Sequence, residues 1–188
     1  MASAVVGVPK DVLARSARGD AAAFAGIVGA HQAMVFSIGY HFLQDRSLAE
    51  ELAQEVFLHL FKNMRAIQSP SHLVYWLRKV TTHRCIDHAR RQKLRPRLSL
   101  TEYLEHAPEP AAPGRASDPL LAGMLRRLVA ALPERSRLII ILRFQEDLEP
   151  AEIAELLDIP LGTVKSNLHR SHALLRGKLE RERKGVGK

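Results

Sequence analysis

The sequence predicts an all-α protein built as two small helical domains joined by a flexible linker. Three observations carry that reading. Apolar residues recur at helical spacing through both halves of the chain, and neither half shows a convincing strand pattern. Five of the ten prolines (Pro96, Pro108, Pro110, Pro113 and Pro119) fall within residues 96–119, a stretch whose composition disfavours helix and sheet alike. Each half is also electrically lopsided, with one acidic and one basic edge. The domains are therefore expected at residues 10–95 and 119–183, with a linker over 96–118.

Taken in order, the first domain opens with GDAAAFAGIVGAHQAMVFSIGYHFLQD, in which Phe24, Ile27, Val28, Val35, Ile38 and Phe42 repeat at helical spacing. Next comes SLAEELAQEVFLHLFKNM. Here Ser47 is suited to cap a helix whose first turn holds Glu50 and Glu51, favourable charges at a helix start. Leu48, Leu52, Val56 and Leu60, with Phe57 and Phe61, make one broad apolar face. A third helix, from about Leu73 to Arg91, begins apolar and ends basic.

In the second domain LLAGMLRRLVAAL gives a helix that stops at Pro133, and ERSRLIIILRF gives another. The segments EPAEIAELLD and GTVKSNLHRSHALLRGKLERER follow, separated only by Ile159, Pro160 and Leu161. That is helix, short turn, helix, with a Pro-Leu-Gly turn and a packing face of Ile153, Ala154 and Leu157.

Composition bounds the partners. The chain of 188 residues is 46% apolar and carries a formal net charge of +8, with a pI near 10.1, so a polyanionic partner is expected. The longest unbroken apolar runs, such as Leu138–Leu142, are five residues, against roughly 20 needed to span a bilayer. No membrane insertion is expected. The N-terminal MASAVVGVPK lacks the basic start and apolar length of a signal peptide, and a lone cysteine, Cys85, agrees with a reducing compartment. A cytoplasmic protein is the expectation.

The positive charge is concentrated. Residues 75–95 hold seven basic and one acidic residue, and residues 159–188 hold eight and two, whereas residues 134–158 hold three and seven. Within IPLGTVKSNLHR, a wheel at about 100° per residue gathers Val164, Leu168 and Leu175 into a narrow core stripe. Lys165, Ser166, His169, Arg170, Ala173 and Arg176 spread over the opposite side. This is the face that the second helix of a helix-turn-helix offers to the major groove. Arg and Lys suit guanine, Asn167 suits adenine, and Thr163 at the helix start suits a phosphate. The acid-rich helix Glu149–Asp158 is expected to turn away from DNA. A merely solvated amphipathic helix would not account for the turn, the packing face and the switch from acid to base together.

The quoted segments resemble a known family. ALPERSRLIIILRFQEDLEPAEIAELLDIPLGTVKSNLHRSHALLRGKL is similar to the promoter-reading C-terminal domain of the extracytoplasmic-function (ECF) sigma factors of the sigma-70 family. AEELAQEVFLHLF resembles their polymerase-gripping helix, and YWLRKVTTHRCIDHARR their promoter-melting, minus-ten helix. The likeness covers about residues 10–95 and 118–182. It implies a region 2 bundle and a region 4 helix-turn-helix, a role in transcription initiation, no enzymatic step and no cofactor. Implied partners are core RNA polymerase through its β′ and β subunits, promoter DNA and an anti-sigma factor wedged between the domains.

By the same resemblance Asp45, Glu50, Glu51, Gln54 and Glu55 form the polymerase face. The loop Gln68, Ser69, Pro70, Ser71 and His72 pockets a flipped minus-ten base. An unstacked base regains about 1–3 kcal/mol on an aromatic ring, so Tyr75 and Trp76, an adjacent aromatic pair, are candidates to receive one. Trp76 also fits a core role with Leu73, Leu77 and Val80. Arg78, Lys79, Arg84, Arg90 and Arg91 would take phosphates. His83 stands where the family commonly has Asn, and Asn167 and His172 where it commonly has Arg. The acidic linker, with Glu102, Glu105, Glu109 and Asp118, would thread the polymerase cleft.

Two rivals are weaker. His83 with His88, or His169 with His172, have tolerable metal-ligand spacing but no HExxH, cysteine cluster or carboxylate set beside them. A stand-alone helix-turn-helix regulator explains the second half and leaves the first unexplained.

Overall fold

The computed structural model describes residues 8–94 and 119–185. The expected linker, including its four acidic residues, lies outside the described residues. Backbone contacts divide the chain into two units, 1–96 and 97–188. Among the described residues every regular element is helical.

The first unit holds α1 (Lys10–Ala17), α2 (Ala21–Leu43), α3 (Arg46–Asn63), a 3₁₀ turn (Met64–Ala66) and α4 (Pro70–Leu94). α1 and α2 are joined at Gly19, whose φ of +95° is open to glycine and strained for other residues. Asp20 then caps α2: its Oδ1 accepts the Ala23 N–H at 3.0 Å and its Oδ2 accepts from Arg15 Nε at 2.8 Å. Those bonds, the Ala23 N–H first, hold its carboxyl below the usual range.

α2 is the helix on which α1, α3 and α4 all pack. Its inner stripe is Ala23, Ile27, His31, Val35, Ile38, Gly39 and Phe42. By length and composition this helix could cross a membrane. Counting unbroken runs overlooks it, because Gly, His, Gln and Ser interrupt the apolar residues; here it is the central helix of a bundle, with His31 and Gly39 on its buried stripe. At Gly39 a Cβ would sit 3.4 Å from Leu52 Cδ2 and 3.6 Å from Ala49 Cβ, so the bare backbone permits the close α2–α3 approach.

A sharp corner follows. Gln44 takes the left-handed conformation (φ 58°) and donates its N–H to Tyr40 O at 2.8 Å. Asp45 then caps α3 by accepting the Leu48 N–H at 2.9 Å. The expected cap, Ser47, is instead inside the first turn: two residues of corner suffice, so the helix begins earlier. Phe61 also departs from expectation. Leu52, Val56, Phe57 and Leu60 are buried, but Phe61 is 55% exposed, its ring meeting Phe24 edge-on at 5.1 Å between ring centres.

The second unit holds α5 (Pro119–Ala130), α6 (Glu134–Phe144), α7 (Pro150–Leu157) and α8 (Leu161–Gly185). Arg137 closes the α5 end by donating to the carbonyls of Ala130 and Leu132. Leu138–Leu142 are all buried, which explains why that run is apolar without interruption: α6 is surrounded by α5, α7 and α8. Between α6 and α7, Arg143 reaches Leu148 O at 3.2 Å and pairs with Glu149 at 3.2 Å. α7 starts with Pro150, and the Glu149 N–H donates to Glu152 Oε2 at 2.7 Å.

Candidate nucleic-acid interface

The α7–α8 corner is made differently from the expected Pro-Leu-Gly turn. Asp158 takes the left-handed conformation (φ 54°), and its N–H caps α7 on Ala154 O and Glu155 O. Pro160 O then accepts the Thr163 N–H at 2.8 Å, so Leu161 and Gly162 are already helical. Gly162 keeps ordinary helical geometry, and a Cβ there would meet nothing within 4 Å. The packing face is Ile153 with Leu156, both buried; Ala154 and Leu157 are half-buried.

α8 rests on Val164 and Ser171, with Asn167, Leu168 and Leu175 half-buried beside them. Lys165, Ser166, His169, Arg170 and Arg176 are exposed on the outer side, and Thr163 is half-buried. Arg170 lies along its own helix, donating to Ser166 O at 3.2 Å. Asn167 does not join this face as a free amide. Its Nδ2 donates to Thr163 O at 2.8 Å, and its Oδ1 accepts the Ser136 hydroxyl at 2.9 Å, which ties α8 to the start of α6. His172 meets the exposed ring of Phe144 edge-on at 5.3 Å.

In the first unit α4 begins with a knit cap. The His72 N–H donates to Ser69 Oγ at 3.1 Å, the Gln68 N–H donates to His72 Nδ1 at 3.2 Å, and Ser69 and Ser71 hydroxyls lie 3.0 Å apart. Ser69 and His72 therefore shape the loop, with Gln68 and Ser71 exposed on it. Leu73, Leu77, Thr81, Cys85 and Ala89 form the buried side of α4. At about 100° per residue Tyr75, Lys79, His83 and Arg90 share the opposite side. Lys79 Nζ stands 5.6 Å from the Tyr75 ring centre and 3.4 Å from its hydroxyl. Trp76 packs edge-on against His59 of α3 at 5.3 Å, half-buried, so the ring serves the bundle as well as its surface.

The remaining cations differ in their ties. Arg90 and Arg91 are exposed, with Arg90 loosely paired to Asp87 at 3.9 Å. Arg84 NH1 pairs with Glu55 Oε2 at 3.3 Å, so a residue expected to meet DNA and one expected to meet polymerase hold each other across α3 and α4. Arg78 is half-buried near His31. Burial, with the Arg78 charge second, pushes the His31 imidazole below its ordinary value. Burial also pushes the Cys85 thiol up to about 12, which keeps it protonated and unreactive.

On α3 Asp45 is occupied as a cap and Glu50 pairs with Arg46 at 2.9 Å, while Glu51 and Gln54 are exposed. Sequence reasoning missed Leu58, 62% exposed on the same outer side, and assigned Phe61 to the core. Their spacing from Gln54, at i+4 and i+7, was the available signal.

A helix pair packed through Ile153, Leu156 and Val164 and turned at Asp158, with an exposed cationic helix face, defines a helix-turn-helix DNA-binding protein that carries a second helical body. Comparison with known families makes this specific. The sigma-70 region 2 model matches residues 27–95, and the sigma-70 region 4 model matches residues 122–175. The ECF RNA polymerase sigma factor SigW of Bacillus subtilis is 30% identical over 171 residues, covering 86% of this chain and 91% of the relative. ECF sigma factor SigE of Mycolicibacterium smegmatis is 30% identical over 165 residues, covering 85% and 64%. Sigma factor RpoE of Bartonella quintana, solved with the anti-sigma factor NepR, shares the fold with a TM-score of 0.66 at 16% identity, covering 84% of this chain and 96% of that one. The chain belongs to the ECF sigma factors of the sigma-70 family. The region 2 match occupies the half that a stand-alone regulator leaves without a role.

Proposed function

We propose that this protein is a cytoplasmic, non-catalytic initiation factor that joins core RNA polymerase to promoter DNA. One observation carries the reading: a region 2 bundle and a region 4 helix-turn-helix lie in a single chain, each with an exposed basic helix. Residues 10–95 would dock polymerase and open the minus-ten element, and residues 119–183 would read the minus-thirty-five element. Lys165, Ser166, His169, Arg170 and Arg176 face the duplex, with Thr163 at the helix start. Tyr75, Lys79, His83, Arg90 and Arg91 face the opened strand, and Gln68 and Ser71 edge the loop beside them. Trp76, Arg78 and Arg84 support that surface from within the bundle. Glu51 and Gln54 lead the polymerase face, flanked by Asp45, Glu50 and Glu55. The anti-sigma partner of the Bartonella relative supports a similar inhibitor here.

Run-off transcription with purified core polymerase and a promoter library tests this. Discrete transcripts that depend on the added protein are expected. Duplex binding with no effect on core polymerase would return the chain to the regulators.

A further inference from the structure

Along the flank where α3 meets α4, two residues of α3 four positions apart reach the strand-facing helix. His59 lies edge-on to Trp76 at 5.3 Å between ring centres, and Glu55 Oε2 stands 3.3 Å from Arg84 NH1. Behind them Leu52, Val56 and Leu60 of α3 and Leu73 and Leu77 of α4 are buried. Apolar packing and the ring contact therefore hold the two helices together, and an ion pair exposed by about a third at both ends adds little to that. At 3.3 Å the pair is also longer than the about 2.7–2.9 Å of a charge-assisted hydrogen bond. It is a contact made by charge and open to exchange.

Both members are placed to exchange. Glu55 follows Glu51 by four residues, which puts the two carboxylates on neighbouring turns with their Cβ atoms about 5–6 Å apart. Glu51 is exposed and Glu55 partly so, and a cation drawn to the first also meets the second. Arg84 stands two turns before the exposed Arg91, on the same side of α4, in line with a cation already assigned to phosphate. α4 carries one acid of its own, Asp87, which lies 3.9 Å from Arg90. Arg84 thus takes its counter-charge from α3, the helix read as the polymerase face.

We propose that Glu55 is a positioning residue that couples polymerase docking to strand capture by exchanging ion-pair partners. In the free protein Glu55 holds Arg84. A cationic side chain of core polymerase arriving at Glu51 takes over Glu55, and the released guanidinium turns to a phosphate of the opened strand. The charges balance: one Glu55 pair breaks and another forms, and Arg84 displaces a counterion from the strand. The inference rests on the reading that α3 meets polymerase and α4 the opened strand, and it supplies the link between them. A pair serving only as a strut would keep Arg84 on Glu55 in both states.

The test measures how binding to one fluorescent non-template strand, taken from a promoter recovered by run-off transcription, depends on salt. It is made on the full-length protein alone and at saturating core polymerase. Arg84→Ala is expected to flatten the log–log slope by about 0.7 in the polymerase complex, the value of one phosphate contact, and by less than half of that in the free protein. Arg84→Lys should keep the complex near the parent slope. Glu55→Gln is expected to do the reverse, steepening the slope by about 0.7 in the free protein and by less than half of that in the complex. In the free protein the gain should vanish when Glu55→Gln is combined with Arg84→Ala. A gain that persists comes from removing a negative charge near the strand and overturns the exchange, as does an Arg84→Ala effect of equal size in both states. Polymerase affinity keeps the two failures apart. If Glu51→Arg and Glu55→Gln leave it unchanged, docking through α3 has failed; if they lower it and the slopes do not diverge, only the exchange is refuted.

Discussion

α4 and α8 are both basic helices of 25 residues, yet they hold their cations in opposite ways. α8 rests on a narrow stripe, and Lys165, Arg170 and Arg176 project from it with no bond to another helix among the described residues. α4 is a wall of its bundle, and the cations along it are partly tied: Lys79 to Tyr75, Arg84 to Glu55. The difference fits the two tasks proposed for these helices. A groove of duplex DNA is met by donors that already stand clear of the protein. An opened strand must be caught against a surface, and a surface needs rings and cations braced from behind.

The strongest way to break the comparison is to remove one body and watch the other. Ile153 is fully buried between α7 and its neighbours, so Ile153→Ala should cost about 2–5 kcal/mol through lost burial and a residual cavity. Denaturant unfolding should show the second unit's transition moving to lower concentration while the first stays in place. Duplex binding should fall and oligo-dT binding should not. A joint shift of both transitions would mean that the two units do not stand independently.

Next in size is Arg170→Ala, expected to lose about 1–3 kcal/mol of minus-thirty-five affinity if the side chain reaches a base, concentrated at one base pair. If it reaches only phosphate, the loss is equal across sequences and the salt slope shrinks. Competition binding against single-base variants separates the two, and full indifference would remove Arg170 from the interface.

The bundle also contains a proton-sensitive element that the second unit has no counterpart for among the buried residues. His31 is 2% exposed, its Nε2 is unpartnered, and burial followed by Arg78 lowers its pKa. The folded state therefore binds fewer protons here than the unfolded state, whose imidazole titrates near 6.5. Stability from this group is complete above about pH 6.5 and declines as pH falls from there toward the lower folded value, by at most about 1.4 kcal/mol per pH unit. Chemical unfolding at pH 7.5 and 5.5 should show the first unit weakening, and His31→Gln should flatten that dependence.

These cases mark what the sequence made legible. Helical periodicity and the proline-rich break were enough for an all-α chain in two parts, because burial of one helix face writes itself into every third or fourth residue. Corners were read less well. Asp45 and Ser47 are both good caps, and only the position of Gln44 in the left-handed region decides between them. Asp158, not Gly162, turns the chain between α7 and α8, since an aspartate tolerates that conformation. Pairings across helices were not legible at all. Ser136 and Asn167 lie 31 positions apart, and no local pattern announces that their side chains meet.

That pair gives a smaller prediction. Asn167→Ala removes its bonds to Ser136 and Thr163 and should cost the second unit about 1 kcal/mol in unfolding experiments. The minus-thirty-five base preference should remain. A changed preference at a single base pair would place Asn167 on the reading face despite its bonds within the domain, through its second N–H or the remaining lone pair of its oxygen.

The smallest effect sharpens the comparison most. Glu55 and Arg84 are each about one-third exposed, at 34% and 32%, and a pair in that setting contributes roughly 0.2–1 kcal/mol. Glu55→Gln should barely move the unfolding midpoint. It should, however, leave Arg84 without its carboxylate and free to meet a phosphate, as the cations of α8 already are. Each added phosphate contact steepens the dependence of single-strand affinity on salt by about 0.7 in log–log slope. Oligo-dT titrations across a salt series should therefore show the variant binding more tightly at low salt, with a slope steeper by about that amount. An unchanged slope would make the pair a strut between α3 and α4 and nothing more. The tied cations of α4 would then be a permanent feature of its role as a bundle wall, and only those already clear of it would hold the opened strand.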